Sequence, residues 1–166
     1  MSDAPPALTP VQLRAYFAFT EVSKLLRHEI EKQLRDVGGL SYVQFHLLAR
    51  LGDVAGGTLR MTDLADGVVY SRSGLTYQAQ LLEQRGLVTR APSPDDERST
   101  VVAITDAGRE VLAAVFPGHI EAVRTLLFAS LSDGDVEDLA RILGQAADHL
   151  RTIPPRSADQ RRRKTR

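Results

Sequence analysis

Cysteine is absent from all 166 residues. That excludes a disulfide framework, thiolate metal ligation and a cysteine redox switch. Long apolar runs are missing too, since none approaches the roughly 20 residues a membrane-spanning helix needs. The opening Met-Ser-Asp-Ala-Pro-Pro has no basic segment followed by an apolar stretch, so no secretory signal is read there. We therefore expect a cytoplasmic protein without membrane association. Catalytic signatures are lacking as well: there is no G-x-G-x-x-G, no P-loop, no G-x-S-x-G and no H-E-x-x-H. We expect neither an enzyme nor a bound cofactor, although a catalytic set scattered along the chain would leave no such trace. The four histidines, His28, His46, His119 and His149, show no H-x-x-x-H spacing, and no metal site is expected.

Net charge is the last absence, with 21 basic and 21 acidic residues. The balance is uneven. Residues 156–166 hold six basic groups and one acid, Asp159, which leaves 15 basic and 20 acidic residues, or −5, on the rest. An acidic body with a basic tail results. Bulk charge does not decide for or against nucleic acid, so local pattern must.

What is present is ample for a core: 43% of the residues are hydrophobic, and the length fits one domain. Leu13, Tyr16, Phe17, Leu26, Ile30 and Leu34 recur at three- and four-residue spacing and predict a helix from Thr9 to about Val37, with Pro10 in its first turn and Gly38-Gly39 as its stop. Ser41 and Gln44 form a capping box for the next helix, with Leu40 and Phe45 as its hydrophobic staple. A short helix over about Met61–Val68 and a second from Ser71 to near Gly86 follow. Two strand-like runs, 87–91 and 100–104, flank a polar, turn-rich loop at 92–99. Thr105 caps a long helix with an apolar stripe (Val111, Leu112, Val115, Val123, Leu127) and an interior Pro117 that should kink it. Ser132 caps the last, whose apolar face is Leu139, Ile142, Leu143, Ala146 and Leu150. The predicted fold is mainly α with a small β-ribbon. It is a winged helix-turn-helix at about 58–105 with dimerisation helices at 9–37 and 106–153, a disordered lead at 1–8 and a basic disordered tail at 154–166.

The helix from Ser71 has two faces. Leu75, Ala79 and Leu82 should pack inward. Ser73, Thr76, Tyr77, Gln80 and Gln84 share the other face and offer hydroxyls and amides in place of the Glu/Lys pairs of an ordinary solvated helix. Short donors and acceptors of that kind can read base edges in the major groove. Arg72 sits where a recognition helix first meets the bases, and the free N–H groups of the first turn suit a phosphate. Arg98, on the ribbon, is placed for the minor groove, whose negative potential draws arginine, with Asp96 able to hold its guanidinium. A polar surface helix and an ordinary hairpin with a surface ion pair would show the same residues.

Read in order, Leu64-Ala65, Ser71-Arg72-Ser73-Gly74-Leu75-Thr76, Leu82-Glu83-Gln84-Arg85-Gly86-Leu87-Val88, Asp96-Glu97-Arg98 and Ile104-Thr105-Asp106-Ala107-Gly108 resemble the winged-helix signature of the MarR family of transcriptional regulators. The spacing agrees from 61 to 108, and the flanking helices agree in number and length. The resemblance implies a triangular homodimer with intertwined terminal helices, two recognition helices in successive major grooves and two wings. It places Arg72, Ser73, Thr76 and Gln80 at recognition-helix positions and Asp96 and Arg98 at the wing's D-x-R. Tyr77 and Glu97 depart from it, because many members carry arginine there. The stretch 71–98 holds four basic residues (Arg72, Arg85, Arg90, Arg98) against four acids, so its pull on phosphate should be modest.

Members of that family are commonly repressors released by small, often aromatic, ligands. The resemblance implies a pocket between the dimer-forming helices and the winged helix, which Tyr16, Arg27, His28, Tyr42 and His46 are placed to line. The expected partners are double-stranded DNA with a pseudo-palindromic operator, a second copy of the chain and a small-molecule effector. The alternative is a winged-helix protein-interaction module with little or no DNA binding, which the Tyr77 and Glu97 departures and the neutral 71–98 stretch keep open.

Overall fold

In the computed structural model the described residues are 7–67, 72–94 and 96–152, with the side chains of 66, 67, 72 and 96–98 outside the description. Ser71, the basic tail and the first six residues of the expected lead therefore lie outside it.

Helix α1 spans Pro10–Gly38. Thr9 caps it through a capping box: the Gln12 backbone N–H donates to Thr9 Oγ1 at 3.3 Å, and the Thr9 N–H donates to Gln12 Oε1 at 2.9 Å. It ends because Gly39 takes φ 59°, a left-handed conformation that carries no Cβ penalty in glycine. Leu40 N–H then reaches back to Leu34 O at 3.1 Å, and Leu40 is fully buried. Helix α2, Tyr42–Asp53, opens on the expected Ser41/Gln44 box, and both staple residues, Leu40 and Phe45, are buried.

A strand the sequence reading missed follows: β1, Thr58–Arg60. Three residues are too few to show the two-residue alternation that marks a strand. Helix α3 is Met61–Gly67 and α4 is Arg72–Gln84. Strands β2, Val88–Ser93, and β3, Asp96–Ile104, complete an antiparallel sheet in the order β1-β3-β2. The expected two-stranded ribbon is thus corrected to three strands, and of the expected 92–99 loop only Pro94 is a turn among the described residues. Pro92 and Ser93 belong to β2, with a register irregularity between them. Because β2 is an edge strand, Pro92 costs no ladder bond that the sheet needs.

Thr105 caps α5, Asp106–Val123, by accepting the Gly108 N–H at 3.1 Å. The helix continues unbroken through Pro117. Its irregular segment lies further on, a π-helical stretch over Arg124–Phe128. Helix α6, Asp133–Arg151, opens on Ser132 in a box with Asp135.

The core gathers Ile30 and Leu34 from α1, Leu47, Leu48 and Leu51 from α2, Leu64, Leu75 and Leu82 from the helix-turn-helix, Val88 and Val102 from the sheet, and Val115 from α5. It stops there. The amino-terminal half of α1 exposes Val11, Phe17, Phe19, Val22 and Leu25, and α6 buries no residue at all, leaving Ile142 52% and Leu150 63% exposed. The apolar faces predicted for the two terminal helices exist, but one chain does not cover them. By length and composition the helical segment Asp106–Phe128 is long and apolar enough to cross a membrane. The absence of an unbroken apolar run hid this, since charged residues such as Arg109, Glu110 and Glu121 interrupt it. It also packs on α1 and α2.

Candidate nucleic-acid interface

Helix α4 is held by its inner face. Leu75, Ala79 and Leu82 are buried, and the helix packs on α2, α3 and β2. A polar link ties it down further: Gln44, buried at the start of α2, donates from Nε2 to Gln78 Oε1 at 3.0 Å. The same Gln44 closes the α2 capping box, accepting the Ser41 N–H at 3.0 Å. One side chain therefore fixes both where α2 begins and where α4 lies.

On the opposite face Ser73, Thr76, Tyr77, Gln80 and Gln84 are all exposed, as the spacing predicted, with Tyr77 58% exposed. A 13-residue helix thus presents two hydroxyls, two amides and a phenol on one outward face. Arg72 is its first residue. Beside it stands the β2–β3 wing. Asp96 and Arg98 lie on β3 itself, not in a loop, and Asp96 pairs with Ser93 across the tip.

Electrostatics at this surface differ from a simple count. Arg90 on β2 grips Glu83 near the end of α4: its Nη2 and Nε donate to Glu83 Oε2 at 2.6 and 2.8 Å, and its backbone N–H donates to Oε1 at 3.1 Å. The guanidinium bonds hold the Glu83 carboxyl below its usual range. Arg85 turns the other way and donates to the carbonyls of Gly38 and Gly39. Two of the four basic residues of the stretch are thus engaged inside the molecule, which sequence counting could not show. Arg72 and Arg98 are the other two.

The residues named for an effector pocket divide. Arg27, Tyr42 and His46 come together: Arg27 Cζ lies 4.9 Å from the Tyr42 ring centre, and the Tyr42 and His46 rings meet edge-on at 4.4 Å. Tyr16 stands apart, exposed and against Phe17. Eleven residues of helix put it about 16 Å along α1 from Arg27. His28 is exposed on α1 and makes no ring contact with this group. Three residues that the sequence did not assign to this pocket join the group: Gln33 on α1, Phe45 on α2 and His119 on α5. Phe45 lies 4.6 Å from the His119 ring and 5.6 Å from His46, and Gln33 Nε2 donates to Val115 O at 3.1 Å. Three buried polar atoms here, Gln33 Oε1, His46 Nε2 and His119 Nδ1, have no hydrogen-bond partner among the described residues. Burial pushes both histidines below their ordinary pKa, and for His46 the nearby His119 and Arg27 push the same way. Both shifts favour the uncharged rings, and each ring has a buried nitrogen to offer.

A buried-core helix-turn-helix, a recognition helix with a polar outer face and an adjoining three-stranded wing define a winged-helix DNA-binding protein. The MarR family model matches residues 38–99. Among solved structures, the chain is similar to Sco3205 of Streptomyces coelicolor, a MarR family transcriptional regulator solved in complex with DNA, at 33% identity and TM-score 0.83, covering 90% of this chain and 93% of that one. It is similar to AbsC of the same organism at 32% identity and TM-score 0.81, covering 89% and 99%. It is also 26% identical over 151 residues to the transcriptional repressor MdtR of Bacillus subtilis, covering 89% of this chain and 92% of that protein. The chain belongs to the MarR family and is a DNA-binding transcriptional regulator.

Proposed function

We propose that the chain works as a cytoplasmic homodimeric repressor that grips a pseudo-palindromic duplex and lets go when a small aromatic ligand binds. The observation that carries the DNA reading is the exposed hydroxyl and amide face of α4 beside the wing. Thr76 and Gln80 read base edges. Ser71, Arg72, Ser73 and Tyr77 meet the backbone or neighbouring bases, and Arg98, steadied by Asp96, enters the minor groove. The basic tail adds phosphate contacts, each steepening the log–log salt dependence by roughly 0.9.

The dimer reading rests on the uncovered apolar faces of α1 and α6. Phe116, Ile120 and Leu126 on the α5 segment add to them, so a second copy, not a bilayer, accounts for that segment's apolar surface. The repressor reading draws on MdtR, which carries that description. The effector reading rests on the unpartnered polar atoms between α1, α2 and α5. A ligand there acts only if it prefers the form whose recognition helices are misplaced. At saturation a 100-fold preference shifts the balance by about 2.7 kcal/mol.

Selection from a pool of randomised duplexes tests the reading. Enrichment of a pseudo-palindrome with half-sites about 34 Å apart is the expected result. No enrichment would shift the account to a winged-helix module that binds protein instead.

A further inference from the structure

Arg85 follows α4 directly, at the point where Gly86 (φ 71°) turns the chain toward β2. Its guanidinium donates from Nη1 to Gly39 O and from Nη2 to Gly38 O, both at 2.8 Å. Those carbonyls close the carboxyl end of α1. They have no intrahelical donor and carry the negative end of the helix dipole, which favours a cation. The planar fork of arginine suits two adjacent acceptors in a way a lysine ammonium cannot.

The position of this bond matters more than its strength. Helix α1 packs chiefly on α5 and α2, whereas α4 packs on α2, α3 and β2. Arg85 joins the two groups directly, running from the end of the recognition helix to the end of a dimerisation helix. Two residues earlier, Glu83 ties the same end of α4 to Arg90 on β2. The recognition helix and the wing are thus one unit, and Arg85 fastens that unit to α1.

We propose that Arg85 is a positioning residue that sets the angle of the recognition helix against the dimer frame, and with it the half-site spacing the dimer accepts. The proposal rests on the DNA-binding, dimeric reading above, so its test has one arm that needs neither DNA nor a dimer.

In that arm Lys32→Cys on α1 and Ser73→Cys on α4 carry nitroxides in an otherwise cysteine-free chain. Labelled chain is diluted into unlabelled chain so that only distances within one chain are read by pulsed electron paramagnetic resonance. With Arg85 present the distance distribution should be narrow. Arg85→Lys, which keeps the charge, and Arg85→Gln should both broaden it while the thermal midpoint changes by only a few degrees. In the second arm unlabelled chains bind selected operators whose half-sites are moved apart by one base pair. The wild type should lose about tenfold in affinity, and both variants about threefold or less.

Unchanged distance widths in both variants would overturn the proposal. So would unchanged spacing selectivity, or a lowered midpoint with both readouts intact, which would mark a merely structural role. An Arg85→Lys chain that behaves as wild type while Arg85→Gln loses affinity and salt dependence would reduce the residue to a charge. Broadened distances in a chain that selects no operator would leave the clamp standing and sink the DNA reading instead.

Discussion

Gly108, in the first turn of α5, gives a prediction whose sign opposes the usual rule. Glycine to alanine inside a helix normally stabilises by about 0.5–1 kcal/mol, since alanine loses less backbone entropy. At Gly108 a Cβ would run into the carbonyl oxygen of Leu87, and it would meet Ile104 Cγ1 at 2.9 Å. That carbonyl already accepts the Thr105 N–H at 3.1 Å, while Thr105 Oγ1 donates to Gly86 O at 2.7 Å. A methyl group must therefore lift the start of α5 off the turn between α4 and β2. Overpacking of this kind costs about 1–3 kcal/mol, and weakening one hydrogen bond of the Thr105 set adds about 1 kcal/mol. We expect Gly108→Ala to lose about 2–4 kcal/mol, a fall in thermal midpoint on the order of 5–15 °C for a chain of this size. Gly144→Ala is the control. Gly144 lies within α6, off the Leu139, Ile142, Leu143, Ala146 and Leu150 face, with nothing of the same chain near its Cβ position, and should show the ordinary small gain. Calorimetry at one fixed protein concentration reads both, because a dimer's midpoint depends on concentration. An unchanged or raised midpoint for Gly108→Ala would refute the packing argument.

Other expectations follow from the same geometry. Because His46 and His119 titrate below the ordinary value of 6.5 in the fold, the unfolded chain binds more protons once the pH falls through that value. Their contribution is complete above 6.5 and declines as the pH falls from there toward the folded pKa values. The thermal midpoint should drop between pH 7.5 and 5.5, less so in His46→Gln, and equal slopes would clear His46. The double change Ile142→Glu with Leu150→Glu removes apolar side chains worth about 1.5–3 kcal/mol each if buried, so the dimer constant should weaken at least about 100-fold by sedimentation. Unaltered assembly would remove α6 from the interface. Thr76→Ala or Gln80→Ala should relax preference at particular operator positions by about 1–3 kcal/mol, read by competition with single-base variants, whereas a uniform loss across all bases would mean they touch only the backbone.

Most of the architecture was legible because its signals are local. The Ser41/Gln44 box, the Gly39 stop, the Thr105 cap and the two faces of α4 each rest on residues within a turn or two of one another. What was missed rests on partners far apart in sequence. β1 is three residues long and exists because β3 offers it an edge. The wing strands run into a segment whose prolines and acids read as a turn, and only the edge position of β2 makes Pro92 tolerable. His119 seemed one of four scattered histidines until α5 folded over α2 and set it beside Phe45. Arg85 and Arg90 were counted as charges for phosphate, but each closes a contact that holds α4 in place. Tyr16 was grouped with Arg27 on helix membership alone, although the rise of the helix separates them.

The most direct measurement is fluorescence anisotropy of the full chain on the DNA upstream of its own gene and on scrambled DNA, at about 0.15 M salt. Specific binding by such proteins is typically 10³-fold or more tighter than non-specific. The account predicts a gap of that size, retained when the tail from Arg156 onward is removed. Equal affinity for both duplexes, with random-site selection also enriching nothing, would contradict it.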